Sequence, residues 1–408
     1  MKKINIDKIK KTTVPKGFKL SGIHCGIKKS KKKDLGLIYS QLPCSACGMF
    51  TSNRVQAAPL KVCREHLKNK KSRAIIVNSG NANCFTGKKG INDAIDIINT
   101  LAKQLDIANR SILIASTGII GKPLPLKIIK QAIPRLCQSL NKSEVEDFAE
   151  SISTTDTFKK SVSLKLRIKN KPVVITGVAK GAGMICPHLQ MSSKKQATML
   201  AFILTDVAIK KALLKSALAC GVDRSFNRIT IDRCMSTNDT VLVLANGAAA
   251  NIVITKRDKD FELFCAGLSF VCWKLARMIV GDAEGSTKLI DILVKGAKSS
   301  KEAQLAASAV ANSNLFKAAM FGGNLNWGRI VAAIGAVGIA LDQNKLEISF
   351  NKQRIFKNGK VYSIKPRNSL KKLKVVSVNI NLNRGKFSQC VLTSDLTPAY
   401  VKINAGYN

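Results

Sequence analysis

The chain has 408 residues, of which 46% are hydrophobic and 23% charged, and its formal net charge is +42. This length is sufficient for two or three domains or for one large layered body with an ample core. The longest apolar run, residues 330–341, is shorter than the ~18 residues that span a bilayer. The charged N-terminal stretch MKKINIDKIKK lacks the apolar region of a secretory signal. We therefore expect a cytoplasmic protein without a membrane segment.

The large positive charge raises the alternative of a nucleic-acid-binding protein, because lysine and arginine neutralise phosphates. The basic residues are spread along the whole chain, however, and only 5% of the residues are aromatic and able to stack on bases. No zinc-finger, RNA-recognition or KH signature is present in the sequence. We interpret the charge mainly as solvated surface, which attracts anionic substrates and adds weak, non-specific nucleic-acid binding.

The twelve cysteines are scattered without the spacing of a disulfide scaffold. Cys44 and Cys47 form a single CxxC pair. A zinc site needs a second pair, and none follows at a usable spacing. We favour two incidental cysteines over a redox pair, and we expect no metal.

The first third of the chain predicts strands and one helix. Residues 17–59 alternate apolar and polar side chains between glycines, which is typical of several short strands. Residues 74–83 predict a buried strand that enters a polar turn, and residues 92–105 have the apolar spacing of an amphipathic helix. Residues 111–121 predict a strand that runs into Ser116-Thr117-Gly118, where backbone N–H groups of a tight turn can stabilise an oxyanion.

A glycine-rich turn and a short apolar run mark the middle of the chain. The turn, residues 180–183, is followed by Ala197, Thr198 and the run 199–204, whose length favours a buried strand over a helix. A threonine that begins a strand is commonly a β-branched residue without a chemical role. The alternative is that Thr198 is a nucleophile, exposed as a new N-terminus by cleavage after Ala197. Its own α-amine, with a pKa near ~7.7–8.0, can then act as the base.

The remaining chain mixes helices and strands without strict βαβ order, which favours an α+β layered body. Further helices are predicted at residues 144–153, 206–220, 258–280 and 301–320. Further strands are predicted at residues 241–245, 290–294 and 375–382. Gly221 is placed to end the second of these helices.

Several stretches resemble, in the same order, the motifs of the bifunctional glutamate N-acetyltransferase/ornithine acetyltransferase family of arginine biosynthesis. They are MFTSNRVQAAP at 49–59, AIIVNSGNAN at 74–83, SILIASTGIIG at 111–121, KGAGMICP at 180–187, ATMLAFILTD at 197–206, FNRITID at 226–232, STNDT at 236–240 and TSDLTPAYVKINAGYN at 393–408. The resemblance extends from about Gly17 to Asn408. The chain departs from the family in extra residues at 189–196, in Asn324-Leu325 where an acid and a proline are usual, and in lacking a terminal serine or threonine.

The resemblance implies a fold and a processing event. The fold is a layered sandwich of sheets between helices, with an N-terminal-nucleophile-type site and a smaller C-terminal domain from about residue 290. The bond between Ala197 and Thr198 cleaves itself, giving an α chain of residues 1–197 and a β chain of residues 198–408. We expect these chains to associate as a heterotetramer of two each.

The resemblance also implies roles for single residues. Thr198 is the nucleophile, and Thr117 and Gly118 form the oxyanion hole. The implied substrate-binding residues are Thr154, Lys180, Thr198, Glu284 and Asn404. Judged without the resemblance, Lys180 would be a surface lysine and Glu284 a charge in a loop.

The implied reaction is a ping-pong acetyl transfer. Thr198, deprotonated by its α-amine, attacks the acetyl carbonyl of N-acetylornithine; ornithine leaves, and glutamate takes the acetyl group from the threonine ester. No metal or organic cofactor is required, and acetyl-CoA is an alternative acetyl donor. A self-processing aminopeptidase or amidase with the same type of nucleophile is the enzymatic alternative. The motifs around Lys180, around Glu284 (GDAEGSTK at 281–288) and around Asn404 disfavour it.

Overall fold

The computed structural model describes residues 7–8, 12–69, 71–142, 144–187, 189, 199–362 and 370–406. The chain forms two compact units. Unit 1 comprises Met1–Asn227 and Met235–Ile279, and unit 2 comprises Arg228–Cys234 and Val280–Asn408. Both units combine helices with a sheet, so the predicted α+β class is confirmed.

The described part of unit 1 contains nine strands and most of the helices. The strands are β1 (Asp7–Lys8), β2 (Phe18–Ile23), β3 (Leu35–Phe50), β4 (Ser72–Asn81), β5 (Ile112–Ile119), β6 (Lys160–Ile168), β7 (Lys171–Lys180), β8 (Leu200–Thr205) and β9 (Thr240–Ala245). The helices are α1 (Ala58–His66), α2 (Gly87–Leu105), α3 (Leu126–Gln138), α4 (Val145–Ile152), α5 (Lys211–Asp223) and α6 (Lys259–Gly281), the last of which ends in unit 2.

The strands of unit 1 form one sheet in the order β1-β6-β7-β8-β9-β3-β4-β5, with β2 paired to β3. Its centre is the parallel pair β8 and β9, in which every residue is buried, as predicted for the apolar run after Thr198. Strand β3 is much longer than the short strands predicted for this region. Its first half pairs with β2 and β4 and its second half with β9, so this one strand joins the two halves of the sheet.

The helices of unit 1 bury the apolar faces that the sequence predicts. In α2, Ala94, Ile97, Ile98 and Leu101 are buried. Helix α6 buries its whole predicted face, which consists of Phe261, Phe264, Leu268, Val271 and Leu275.

Helix α5 differs from its prediction at both ends. It begins at Lys211 and continues through Gly221 to Asp223, so Gly221 does not end it. A Cβ at Gly221 would lie 2.8 Å from the Leu268 side chain of α6. The glycine therefore serves close packing between two helices and not termination.

Among the described residues, α6 is the one helix with the length and hydropathy to cross a membrane. Of its most apolar 18-residue window, 56% is buried within the protein, which is typical of a core helix.

In the described part of unit 2, six strands form a sheet in the order β13-β12-β11-β14-β10-β15. They are β10 (Leu289–Ala297), β11 (Glu347–Phe350), β12 (Gln353–Lys357), β13 (Lys360–Val361), β14 (Val375–Asn381) and β15 (Phe387–Ser394), and the helices are α7 (Ser300–Ala311), α8 (Asn314–Phe321), α9 (Trp327–Gly335) and α10 (Pro398–Ala405). Strand β14 alternates buried and more exposed residues as predicted.

The single helix predicted at residues 301–320 is two helices, α7 and α8. The break lies at Asn312 and Ser313, because the Ser313 hydroxyl oxygen accepts a hydrogen bond from the Phe316 N–H and so begins a new helix. A serine side chain in this position satisfies one of the free N–H groups of a first helical turn.

Candidate active site

Thr117 and Gly118 lie at the irregular end of β5. The parallel register with β4 breaks there, since Asn81 faces both Thr117 and Ile119. Gly118 has a φ of +133°, and a Cβ at this position would lie 2.3 Å from the carbonyl carbon of Gly80. The predicted tight turn is therefore a β-bulge, a feature that redirects backbone groups and is frequent beside active sites.

The end of β5 is held by the stretch STNDT. The Asn238 amide donates to the carbonyl oxygens of Ala82 at 2.6 Å and Ser116 at 2.7 Å. Asn238 is buried, and these bonds tie together the two segments that precede and follow the bulge. This gives one residue of the motif a defined structural role, which the sequence did not assign.

Lys180 ends β7 and is only 4% exposed. Its ammonium donates to the hydroxyl oxygen of Thr117 over 3.4 Å. Strands β7 and β5 are separated by four strands in the sheet order, so the contact requires the sheet to curve over through the long strand β3. The structure thus brings Lys180 and Thr117 together.

Asp156 joins the Thr154 loop to the end of β7. One carboxylate oxygen accepts from the Thr154 N–H at 2.9 Å, and the other accepts from the Gly181 N–H at 2.7 Å and from the Lys160 ammonium at 2.6 Å. Burial would raise the pKa of Asp156, but the positive charges of Lys180 and Lys160 outweigh it and hold that pKa at about 2. Asp156 therefore stays ionised and places Thr154 close to Lys180.

Lys28 is a neighbour of this cluster that the sequence did not reveal. Its ammonium donates to the carbonyl oxygens of Ser153 at 2.6 Å and Lys33 at 2.8 Å. Burial lowers the pKa of Lys28 to about 8, Asp34 opposes that shift, and the charge of Lys180 adds to it. Lys28 stands in a lysine-rich stretch that resembles ordinary solvated surface, so no sequence signal singles it out.

In unit 2, Glu284 and Asn404 are in direct contact. Glu284 is 9% exposed in the loop between α6 and β10, and its carboxylate accepts a hydrogen bond of 2.9 Å from the Asn404 amide. The same loop is anchored on the start of α10, where the Thr397 hydroxyl donates to the Gly285 carbonyl at 2.7 Å. The two predicted substrate-binding residues Glu284 and Asn404 are thus held together within unit 2.

Ala197 and Thr198, the predicted cleavage position and nucleophile, lie outside the described residues. The next described residue is Met199, whose carbonyl oxygen accepts a hydrogen bond from the Thr240 N–H at 2.8 Å. In the same row of the sheet, Leu200 pairs with Thr240 on one side and with Lys180 on the other.

The described side chains provide two kinds of chemistry. In unit 1, a buried ammonium beside a hydroxyl and a bulged strand end can stabilise negative charge on an oxygen. In unit 2, the Glu284 carboxylate can bind an amine or ammonium group. In the portion of the chain that the structure covers, no group of three or more His, Cys, Asp or Glu is arranged to hold a metal ion.

Comparison with known proteins identifies the family. The ArgJ family profile matches residues 19–408. The arginine biosynthesis bifunctional protein ArgJ of Caldanaerobacter subterraneus subsp. tengcongensis is 42% identical over 403 residues, which cover 97% of this chain and 98% of the relative. The same-named protein of Oceanobacillus iheyensis is 41% identical over 410 residues, covering 100% and 98% respectively.

A solved structure from Mycobacterium tuberculosis, ornithine acetyltransferase complexed with ornithine, is 32% identical. It matches with a TM-score of 0.43 over 46% of this chain and 100% of that chain. The profile match and the identities over nearly the full length confirm the resemblance found in the sequence: the chain belongs to the ArgJ family.

Proposed function

We propose that this protein transfers the acetyl group of N-acetylornithine to glutamate through an acetyl-threonine intermediate, and so acts in arginine biosynthesis. Membership of the ArgJ family supports this reaction. The structural observation that carries it is the buried Lys180 ammonium, 3.4 Å from the Thr117 hydroxyl at the bulged strand end that contains Gly118.

The first half-reaction acylates Thr198. The α-amine of Thr198 takes the proton of its own hydroxyl, and the oxygen attacks the acetyl carbonyl carbon of N-acetylornithine. Thr117 and Gly118 stabilise the negative charge that develops on the carbonyl oxygen, and the neighbouring Lys180 charge favours the same state. The proton passes to the departing nitrogen, the carbon–nitrogen bond breaks, and ornithine leaves.

The second half-reaction is the reverse with a different amine. The amino group of glutamate attacks the threonine ester, and the oxyanion hole again stabilises the charge. The alkoxide of Thr198 leaves and recovers its proton, and N-acetylglutamate is released. The protein uses no cofactor in this scheme, and acetyl-CoA could replace N-acetylornithine as the donor.

Glu284 has the role of binding the ammonium group of the substrate. Its carboxylate is nearly buried and, among the residues that the structure describes, accepts a hydrogen bond from the Asn404 amide. A substrate ammonium would bind the Glu284 carboxylate beside the Asn404 amide or in its place, and it would form a charge-assisted hydrogen bond. Asn404 stands on α10, no residue of which is buried, so its side chain can adjust to the bound substrate.

Processing and assembly complete the proposal. The Thr198 hydroxyl attacks the Ala197 carbonyl, the amide becomes an ester, and water opens the ester to free the α-amine. The resulting α chain, residues 1–197, and β chain, residues 198–408, stay associated as a heterotetramer of two each in the cytoplasm.

The test is an acetyl-transfer assay on the purified protein. N-acetylornithine and glutamate are supplied, and ornithine and N-acetylglutamate are quantified by mass spectrometry. Lys180→Met should abolish transfer, whereas Lys171→Met, at the exposed other end of the same strand, should retain it. Hydrolysis of N-acetylornithine that is independent of glutamate would favour the amidase alternative. Tight DNA binding with a steep salt dependence and no transfer would favour the nucleic-acid-binding alternative.

A further inference from the structure

Lys28 is a partly buried lysine of unit 1 that the mechanism above does not use. The loop that carries it is fixed by Asp34, which is fully buried. The Asp34 carboxylate accepts hydrogen bonds from the backbone N–H groups of Cys25, Gly26, Ile27 and Lys28 at 2.6–3.2 Å. Four hydrogen bonds to one charged group hold the loop in a single conformation, so the base of the Lys28 side chain has a defined position.

The Lys28 side chain contacts two segments of the candidate site. Its stem lies against Gly80, where a Cβ would be 3.2 Å from the Lys28 Cγ. Gly80 is the register partner of Gly118 at the bulged strand end. The Lys28 ammonium donates to the carbonyl oxygen of Ser153 at 2.6 Å, and Ser153 directly precedes Thr154. Lys28 therefore joins the bulged strand end to the Thr154 loop.

One donor of the Lys28 ammonium is available to a ligand. A lysine ammonium has three N–H groups. Two of them donate to the carbonyl oxygens of Ser153 and Lys33, at 2.6 and 2.8 Å. Among the residues that the structure describes, none accepts a hydrogen bond from the third. Both carbonyl acceptors are neutral, so these bonds orient the ammonium without cancelling its charge.

The surroundings of Lys28 leave it charged and place a second cation near it. Burial has the largest effect and lowers the pKa of Lys28 to about 8. The charge of Lys180 lowers this pKa further, whereas Asp34, Asp156 and Glu150 raise it. The ammonium is therefore mainly protonated at pH 7. Two ammonium groups in one region favour the binding of a carboxylate.

Both substrates of the proposed reaction carry a carboxylate close to the reacting nitrogen. In N-acetylornithine the acetylated nitrogen and the carboxylate are attached to the same carbon atom, and in glutamate the attacking amine and one carboxylate are. The carboxylate must therefore bind near the oxyanion hole. Thr117, Gly118 and Lys180 act on the acetyl oxygen and Glu284 acts on the substrate ammonium, so the carboxylate needs a further cation.

On the basis of the proposed function, we propose that Lys28 is a specificity-determining residue that binds the carboxylate shared by N-acetylornithine and glutamate. Its third N–H donates to a carboxylate oxygen and forms a charge-assisted hydrogen bond. The bonds to Ser153 and Lys33 hold the ammonium in place for this contact. The contact favours amino acids over amines that lack the carboxylate.

The test compares Lys28→Met with the wild-type protein on two acetyl donors. N-acetyl-1,4-diaminobutane is N-acetylornithine without its carboxylate. With N-acetylornithine, kcat/KM of the variant should fall at least about tenfold, because a hydrogen bond between charged groups is lost. With the carboxylate-free donor, the two proteins should agree within about twofold. If neither protein turns that donor over, its inhibition constants against N-acetylornithine are compared instead and should also agree.

Lys29→Met is the matched control. Lys29 is the exposed neighbour of Lys28, so this variant should keep the wild-type kcat/KM with both donors. Lys28→Gln is the second variant, for use if Lys28→Met is insoluble. It removes the positive charge and keeps a neutral N–H donor, and its loss should likewise be confined to N-acetylornithine.

Two results would overturn the inference. One is a Lys28 variant whose kcat/KM with N-acetylornithine stays within about twofold of wild type. The other is an equal fall with both donors, which would show that Lys28 only holds the Thr154 loop in place. The wild-type protein is assayed in parallel. If it transfers no acetyl group from N-acetylornithine to glutamate, the proposed function itself fails; if it is active and either result is obtained, only the role of Lys28 fails.

Discussion

Replacing Asp156 by asparagine should destabilise unit 1 in a pH-dependent manner. The side chain of Asp156 is 1% exposed, and that of its partner Lys160 is 0% exposed. Asparagine can still accept hydrogen bonds from the backbone, but it lacks the negative charge that faces the buried Lys160 ammonium at 2.6 Å. Removing one member of a buried ion pair typically costs about 3–5 kcal/mol.

The pKa of Asp156 gives a second measure of this effect. A fall from 3.8 to about 2 corresponds to about 2.5 kcal/mol of folding free energy. Because the pKa is lower in the folded protein, this contribution is fully present above pH 3.8 and is lost as the pH falls through about 2. We therefore expect the variant to be about 2–4 kcal/mol less stable at pH 7, and the difference to narrow by about 1 kcal/mol at pH 3.

The assay is urea unfolding followed by circular dichroism at pH 7 and pH 3. Thr198→Ala is present in every protein, so that all of them are single chains. Asp96→Asn, on the exposed face of α2, is the matched control and should change stability little at either pH. Adding Lys160→Met to Asp156→Asn should recover part of the loss, since it removes the buried positive charge that Asp156 faces. A difference below about 1 kcal/mol at pH 7, or one that does not change at pH 3, would refute the reasoning.

The other predictions concern the site directly. Gly118→Ala should abolish acetyl transfer, because the new Cβ would lie 2.3 Å from the Gly80 carbonyl carbon. Gly335→Ala is the control and should stay active, because a Cβ at Gly335 has open space around it. An active Gly118→Ala enzyme would contradict the close approach of the two strands at Gly118. Glu284→Ala should still yield two chains, but its KM for N-acetylornithine should rise at least about tenfold because the variant loses a charge-assisted hydrogen bond to the substrate. If the variant is not cut, Glu284 acts in processing or folding instead. Transfer should survive treatment with EDTA, and loss that zinc restores would exclude the cofactor-free scheme.

Elements with a clean hydrophobic period were predictable from the sequence. The alternation of β14 and the buried faces of α2 and α6 agree with the structure, because one side of each element packs on a core and the other does not. The short apolar run of β8 was predictable for a different reason: every residue of that strand is buried, so its apolar residues form a continuous run instead of alternating with polar ones.

The breaks within elements were not predictable from local rules. Gly221 has the position of a helix terminator, but contact with Leu268, a residue of another helix, decides its role. The end of α7 depends on Ser313, a residue that is equally compatible with a continuous helix until its side chain is seen to accept a backbone N–H. Tertiary packing and side-chain geometry override the local pattern in both cases.

The residues of the site were found through family resemblance and not through spacing. Thr117 and Lys180 are 63 residues apart and meet only because the sheet curves over. Lys28 had no distinguishing signal, since its lowered pKa comes from burial by segments that are distant in the sequence. Sequence patterns report local periodicity, whereas a buried charge is recognised only in three dimensions.

The central claim is that Thr198 is the nucleophile twice, first on its own chain and then on the substrate. Intact-mass measurement with N-terminal sequencing of the purified, active protein tests it most directly. We predict two chains, residues 1–197 and a second chain that begins at Thr198; Thr198→Ser should also be cut and keep some activity, and Thr198→Ala should remain one inactive chain. An active protein that is never cut, or a second chain that begins at any other residue, would contradict the claim.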